Sequence, residues 1–371
     1  MKDNSRGRTI VIKLGTSTLT RGSGHLVRSQ MLEIVRAAAK LRERGHRVLL
    51  VSSGAMAAGR EVLHNPDLPK VLSSKQLLAS VGQSRLMSVW ESLFGIYNID
   101  VGQILLTRAD LENRERFLNA RDALFALLDH GIVPVINEND AVSTQEIRVG
   151  DNDNMAALSG ILSGADMVIL LTDQEGLFTA DPRKDPDARL IEVVEEIDGR
   201  IEALAGGAGS AQGTGGMATK VHAAKTAMAA GIELIIASGA DPSILLDLCE
   251  GRGRGTFFRP KHKAQLARKI WLSAAVKAGG TIVVDAGAER ALTERGSSLL
   301  PTGVVGVSGE FARGAIVEVV NQQGQVIAKG AARYSVDDLK RIMGHQSDEI
   351  EGILGYSHGM VVMHRDDLVV S

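Results

Sequence analysis

The sequence predicts an α/β protein: an open, mostly parallel sheet sandwiched by helices, followed by a second, small, mostly-β domain. Three observations carry this. Over the first 250 residues, short aliphatic runs alternate with longer stretches of helical periodicity, the pattern of repeated strand–helix crossovers. The aliphatic runs are continuous rather than alternating with polar residues, as in parallel strands covered on both faces. From residue 279 onward the pattern changes to short apolar runs divided by glycine-rich turns. A length of 371 residues fits two domains at roughly 150 residues each.

The strand candidates follow in order: TIVIKLG (9–15), RVLLVSS (47–53), VGQILLT (101–107), IVPVINEND (132–140), DMVILLT (166–172) and ELIIASG (233–239). Each is rich in Val, Ile or Leu. Between the first two, SQMLEIVRAAAKLRERG (29–45) repeats apolar residues at i, i+3 and i+4 spacing and stops at Gly45. A second long helix is SSKQLLASVGQSRLMSVWESLF (73–94). In the tail, TIVVDAG (281–287), LLPTGVVGVSG (299–309), AIVEVVN (315–321) and VIAKGAARYS (326–335) read as strands, with AERALTERG (288–296) as a helix.

Composition narrows the class. The chain is 44% hydrophobic and 23% charged, with only seven Phe, three Tyr and two Trp, so its core must be aliphatic. A single cysteine, Cys249, excludes an intrachain disulfide and a Cys-based zinc site. The opening MKDNSRGR lacks the apolar segment of a signal peptide, and no apolar run approaches the roughly 18 residues of a membrane span. The expectation is a cytoplasmic protein that does not engage a membrane. Residues 252–277 carry eight Lys or Arg and no acidic residue, with RPKHK around Pro260. This predicts a first domain at 1–258, a basic linker and helix at 259–278, and a last domain at 279–371. The plain reading of the basic stretch is a solvated or ion-paired segment; a nucleic-acid contact is the sharper alternative.

Each strand ends in a small or polar cluster, and in an open parallel sheet ligands sit at the carboxyl ends of the strands. Lys13–Ser17, Ser52–Gly54, Asn137–Asp140 and Thr172–Asp173 should therefore converge, although they are far apart in the chain. No Walker A sequence, no GxGxxG opening a helix, no HExxH and no GxSxG is present. Four other features suit phosphate and amino-acid chemistry. IKLGTS holds Lys13 at a strand end, beside a turn at Gly15 whose amides can approach an anion. SSGAMAAG sets Ser53 before a helix N-terminus, although serine capping alone explains it. NEND followed by GDNDNMAAL packs Asp and Asn without EF-hand spacing. Asp140 suits an ammonium, Asn152 can donate to a carboxylate, and Asp153 can orient two lysines; turn and cap chemistry is the plainer reading. Finally, GTGGMATKVHAAKTA (213–227) runs a glycine-rich loop into a helix with Lys220 in its first turn, a phosphate site by amides, dipole and charge. The loop before it is flexible enough to close over a nucleotide.

In order, IVIKLGTSTLT, VSSGAMAAG, PVINENDAV, GDNDNMAAL, LLTDQEGLFTADPR and TGGMATKVHAAKTA resemble the amino acid kinase family, across all of the first 250 residues. Within it they are most like the glutamate-phosphorylating branch, and the tail resembles a PUA module. The resemblance implies the amino acid kinase fold and ATP-dependent phosphorylation of the γ-carboxylate of L-glutamate, the first step of proline biosynthesis. It implies Lys13, Asp153 and Lys220 as catalytic residues, and Ser53, Asp140 and Asn152 as glutamate-binding residues. ATP would be held by Lys13, Thr172, Asp173 and the segment Thr214, Gly215, Gly216, Met217, Ala218, Thr219 and Lys220. Mg²⁺ would travel on the ATP phosphates with no protein metal site. A dimer or tetramer, and feedback inhibition by proline, are also implied. Two alternatives stay open. One is a sibling kinase acting on aspartate, acetylglutamate, carbamate or uridylate. The other is RNA binding through the PUA-like tail, which its excess of acidic residues disfavours.

Overall fold

The structure, a computed structural model, describes residues 7–142, 151–206, 216–261 and 278–370. The chain divides into two compact units, Met1–Ala264 and Gln265–Ser371. The helix expected within the basic stretch lies outside the described residues.

The strands of the first unit are β1 (Thr9–Leu14), β2 (Arg47–Ser52), β3 (Val101–Leu106), β4 (Val133–Glu138), β5 (Met167–Thr172), β6 (Val193–Val194), β7 (Glu233–Ser238) and β8 (Thr256–Phe258). Its helices are α1 (Thr16–Thr20), α2 (Arg28–Glu43), α3 (Ala55–Val62), α4 (Leu72–Gly95), α5 (Arg108–Glu112), α6 (Arg114–Asp129), α7 (Asp151–Ser163), α8 (Gly199–Ala205), α9 (Met217–Ala229) and α10 (Ile244–Cys249). One eight-stranded sheet has the order β3-β4-β2-β1-β5-β7-β8-β6. Its pairings are parallel, except that β8 runs antiparallel to β7. The six aliphatic runs are β1–β5 and β7. From β1 the chain passes to β2 and on to the far edge, then β5 returns on the other side of β1. That reversal opens a crevice at the carboxyl ends of β1 and β5.

Alternation along β1 decides which residues face which helices. Ile10, Ile12 and Leu14 join one core with Met31 and Ile34 of α2 and Trp90 of α4. Val11 joins the other, with Met155, Ala156 and Ala157 of α7 and Val221, Ala223 and Ala224 of α9. Each such fully buried Ile, Leu or Val side chain contributes about 1.5–3 kcal/mol relative to exposure. Lys13, two residues beyond Val11, falls on the face that α7 and α9 cover. Two glycines fix the other wall of the crevice. Gly54 takes φ +101°, the left-handed turn that carries β2 straight into α3. A Cβ on Gly82 of α4 would sit 1.8 Å from the Ala55 carbonyl oxygen, so only glycine lets α3 and α4 pack this closely.

The four basic residues in the described part of the basic stretch, 252–261, lie on the first unit and are ion-paired. Arg252 meets Asp247 at 3.3 Å, Arg254 meets Glu175 at 2.8 Å, Arg259 meets Glu233 at 3.2 Å and Lys261 meets Glu196 at 2.7 Å. Solvent reaches all four pairs, so each adds little to stability.

In the second unit, β9 (Gly280–Val284), β10 (Val304–Gly309), β11 (Ile316–Val320), β12 (Val326–Ala331) and β13 (Leu368–Val370) form a sheet in the order β10-β9-β11-β12-β13. It is antiparallel apart from the β9–β11 pair. Helices α11 (Ala286–Thr293), α12 (Val336–Ile342) and α13 (Ile350–Leu354) complete it. The 299–309 run becomes a strand only at Val304, after a 3₁₀ turn at Pro301–Gly303; proline has no N–H to give a ladder. The 326–335 run ends at Ala331, and Ser335 instead caps α12 in a capping box with Asp338. Tyr334 is wholly buried in this unit's core, with its hydroxyl donating to Gly359 O at 2.5 Å.

Candidate active site

Three charges meet in the crevice. Lys13 Nζ lies 2.5 Å from Asp153 Oδ1, and Lys220 Nζ lies 3.0 Å from Asp153 Oδ2. Asp153 is fully buried, and the two lysines are each 6% exposed. The sequence arranges this simply. Lys13 is the last inward residue of β1 on its face, Asp153 is in the first turn of α7, and Lys220 is in the first turn of α9. Both helices begin here, so their positive dipole ends add to the ammonium groups. A carboxylate at an α7 N-terminus is favourable; an ammonium at an α9 N-terminus is not, unless an anion offsets it. Thr219 Oγ1 sits 2.9 Å from Asp153 Oδ2 and 2.8 Å from Gly216 O, and its one proton can serve either.

Burial would raise the Asp153 carboxyl, but the ammonium groups of Lys13 and Lys220 outweigh it and hold the pKa below the ordinary carboxylate value. Burial lowers the pKa of Lys13; Asp153 opposes that shift and Lys220 adds to it. The cluster therefore carries one net positive charge in a place poor in water, and it is suited to hold a polyanion.

A second, uncharged group lies beside it. Ser53 N donates to Leu14 O at 3.0 Å, which ties the end of β2 to the end of β1. Trp90 Nε1 donates to Ser52 Oγ at 3.1 Å, and Ser52 Oγ donates to Ser53 O at 2.9 Å. Asn152 of α7 donates through Nδ2 to Ser53 Oγ at 2.9 Å and to Asn137 Oδ1 at 3.2 Å. Thus the donor expected for a substrate carboxylate is engaged with protein. Asp140 lies in the turn after β4, at the same end of the sheet, and is half-buried. At the end of β5, Thr172 Oγ1 donates to Asp173 Oδ1 at 2.9 Å, and Asp173 is exposed. Gly216, Met217, Ala218 and Thr219 form the start of α9. Thr214 and Gly215 lie outside the described residues, as does most of the glycine-rich loop.

The sequence model of the amino acid kinase family matches residues 8–238, which include every described residue of this site. The chain belongs to the amino acid kinase family. A PUA domain model matches residues 280–354 of the same chain. Among relatives of this kinase, the glutamate 5-kinase of Aliivibrio fischeri is 55% identical over 367 residues, 99% of this chain and 100% of that enzyme. The glutamate 5-kinase of Photobacterium profundum is 57% identical over 363 residues, 98% of this chain and 96% of that enzyme. That of Cronobacter sakazakii is 56% identical over 365 residues, 98% and 99% of the two chains. Carbamate kinase from Giardia lamblia bound to AMP-PNP has a similar fold, with TM-score 0.50 at 18% identity over 69% of this chain and 100% of that one.

In this amino acid kinase, two polar residues at the site carry little signal in the sequence. Asn137 was legible only as part of a polar strand end; what marks it is a polar side chain closing an otherwise apolar run. Gln83, which accepts from Asn137 Nδ2 at 2.8 Å, sits on α4 among ordinary helix residues, and no local pattern singles it out.

Proposed function

We propose that this chain transfers the γ-phosphoryl group of ATP to the γ-carboxylate of L-glutamate, giving γ-glutamyl phosphate and ADP, the first step of proline biosynthesis. The observation that carries the reading is the buried Lys13–Asp153–Lys220 cluster at the carboxyl ends of the sheet. The glutamate carboxylate oxygen forms a bond to the γ-phosphorus as the bond to the β,γ-bridging oxygen breaks, and the electron pair leaves with ADP. No general base is needed, because a side-chain carboxylic acid is already ionised at neutral pH. The obstacle is repulsion between two anions. Lys13 and Lys220 offset it at the transferring group, and Asp153 keeps both ammonium groups at fixed positions before the substrates arrive.

Thr172, Asp173 and the segment Thr214–Lys220 are the proposed ATP contacts. The α9 N-terminus points amides at the phosphates, and Ser53, Asp140 and Asn152 hold glutamate. Asp153 already has both oxygens engaged, so the residues present fit a nucleotide that brings Mg²⁺ on its own phosphate oxygens. When bound, that ion neutralises charge on the phosphate oxygens.

From the family resemblance we also propose a homo-dimer or tetramer, feedback inhibition by proline, and a cytoplasmic setting; none of the described helices is long and apolar enough to cross a membrane. RNA binding is the weaker reading, since the described part of the basic stretch is ion-paired to the first unit. The test is ADP release with Mg²⁺, ATP and a panel of acceptors: glutamate, aspartate, acetylglutamate, carbamate and uridylate. Turnover on glutamate in clear preference to the rest is expected. Preference for another acceptor, or tight salt-sensitive RNA binding without turnover, overturns the reading.

A further inference from the structure

A chain of side-chain amides runs from the candidate active site to the protein surface. Asn152 Nδ2 donates to Ser53 Oγ and Asn137 Oδ1, and lies 3.5 Å from the Ser52 carbonyl oxygen. Asn137 Nδ2 donates to Gln83 Oε1 at 2.8 Å. Gln83 Nε2 donates to Gln103 Oε1 at 3.2 Å. Asn137 is buried, Gln83 is half-buried on α4, and Gln103 is exposed on β3.

An amide can point either way, so such a chain takes its direction from a fixed end. Here the fixed end is the Ser52 backbone carbonyl, which can only accept. The Asn152 atom facing it is therefore the NH₂ group. Asn137 must then offer its oxygen to Asn152, which turns its own NH₂ toward Gln83. Gln83 must offer Oε1, which turns its NH₂ toward Gln103. The result at the inner end is chemical. Both N–H groups of Asn152 are directed at protein acceptors, and its Oδ1 accepts no hydrogen bond among the described residues. Ser53 Oγ already receives an N–H, so its own proton is available to a second acceptor. One acceptor and one donor stand side by side.

The Ser52 contact, at 3.5 Å, is too long to hold the amide alone, and we infer that Gln83, acting through Asn137, is a positioning residue that locks the same orientation and so presents Asn152 Oδ1 to the α-ammonium of the amino-acid substrate and Ser53 Oγ–H to its α-carboxylate. This rests on glutamate being the acceptor substrate. It reverses the polarity that the sequence alone suggests for Asn152. A reversed amide would aim an N–H at an ammonium, and one hydrogen bond to a charged group is worth about tenfold or more in affinity.

The test is a Gln83 series assayed with glutamate as substrate and glutarate, the same dicarboxylate without the ammonium, as competitive inhibitor. Gln83→Met removes the acceptor, Gln83→Lys offers only donors to Asn137, and Gln83→Glu offers only acceptors and keeps the direction of the chain. Expected is a rise of about tenfold in KM for glutamate in Gln83→Met and a larger one in Gln83→Lys. Gln83→Glu should stay within about threefold of the parent. Across the series, kcat and KM for ATP should hold at parental values, and the glutarate inhibition constant should rise by less than the glutamate KM, because glutarate loses only the Ser53 proton while glutamate loses the acceptor for its ammonium as well. A parental glutamate KM in Gln83→Lys overturns the inference, as does a glutarate constant that rises in step with that KM. A parent chain with no turnover on glutamate overturns the acceptor reading itself, a result visible before any variant is made.

Discussion

Replacing Asp153 with asparagine keeps the shape of the site and removes the negative charge that lies between its two lysines. In the parent, two ammonium groups and one carboxylate leave a single net positive charge among residues that are at most 6% exposed. In Asp153→Asn two ammonium groups face each other with no carboxylate between them. Removing one partner of a buried ion pair costs about 3–5 kcal/mol. The lower end applies here, because Lys13 has a way out: burial already lowers its pKa, and losing Asp153 lowers it further, so it can shed its proton. A cost of about 3 kcal/mol corresponds to a fall of roughly 6–12 °C in unfolding midpoint for a unit of this size. Thermal unfolding followed by circular dichroism measures it, and steady-state ADP release measures the second effect. With both lysines released from their anchor and the Lys13 pKa lowered further, kcat should fall by about 10²-fold or more. A variant that melts with the parent and keeps kcat within about tenfold would show that Asp153 does not hold the two lysines.

Four further outcomes follow from the same geometry. Lys220→Met should lower kcat by about 10²-fold or more, while stability moves less than in Asp153→Asn, because Asp153 keeps Lys13 as partner; kcat and a melting curve read the two effects. In a pH series, kcat/KM for ATP should fall on the alkaline side at a pKa below the ordinary lysine value of 10.5, since Lys13 must be charged and burial lowers its pKa; a limb at or above that value contradicts the assignment. Asp153 has a folded pKa held below 3.8, so its contribution to stability is complete above that pH and is lost as the pH falls through the lowered value; acid unfolding of the parent should show this component and Asp153→Asn should lack it. Gly82→Ala would put a Cβ 1.8 Å from the Ala55 carbonyl oxygen, forcing α3 away from α4 and shifting the Ser53 turn; about 3 kcal/mol of stability and a raised KM for glutamate are expected, from denaturant titration and initial rates.

Much of this was legible in the sequence, for reasons that can be traced to particular residues. Parallel strands buried on both faces need long aliphatic runs, and TIVIKLG, RVLLVSS and DMVILLT leave little else to form. Lys13 stood out because a charge inside such a run must find a partner. The period of two along β1 then places it on the face with α7 and α9, where Asp153 and Lys220 wait in first turns. β6 and β8 were not legible, since strands of two or three residues carry no periodic signal. The 3₁₀ turn at Pro301 and the helices α12 and α13 were hidden by the glycine-rich texture of the tail. The direction of the Asn152 amide was beyond reach as well. It is set by a carbonyl on β2 and passed on by a glutamine on α4, contacts between residues far apart in the chain.

Transfer in this site depends on one phosphoryl group being held by both lysines at once. The most direct measurement is a crystal structure with glutamate, ADP, Mg²⁺ and a fluoroaluminate standing in for the transferring phosphoryl group. Lys13 Nζ and Lys220 Nζ should each come within about 2.7–3.2 Å of that group, on different fluorine or bridging-oxygen positions. A complex in which either ammonium stays on Asp153 alone, out of reach of the transferring group, would contradict it.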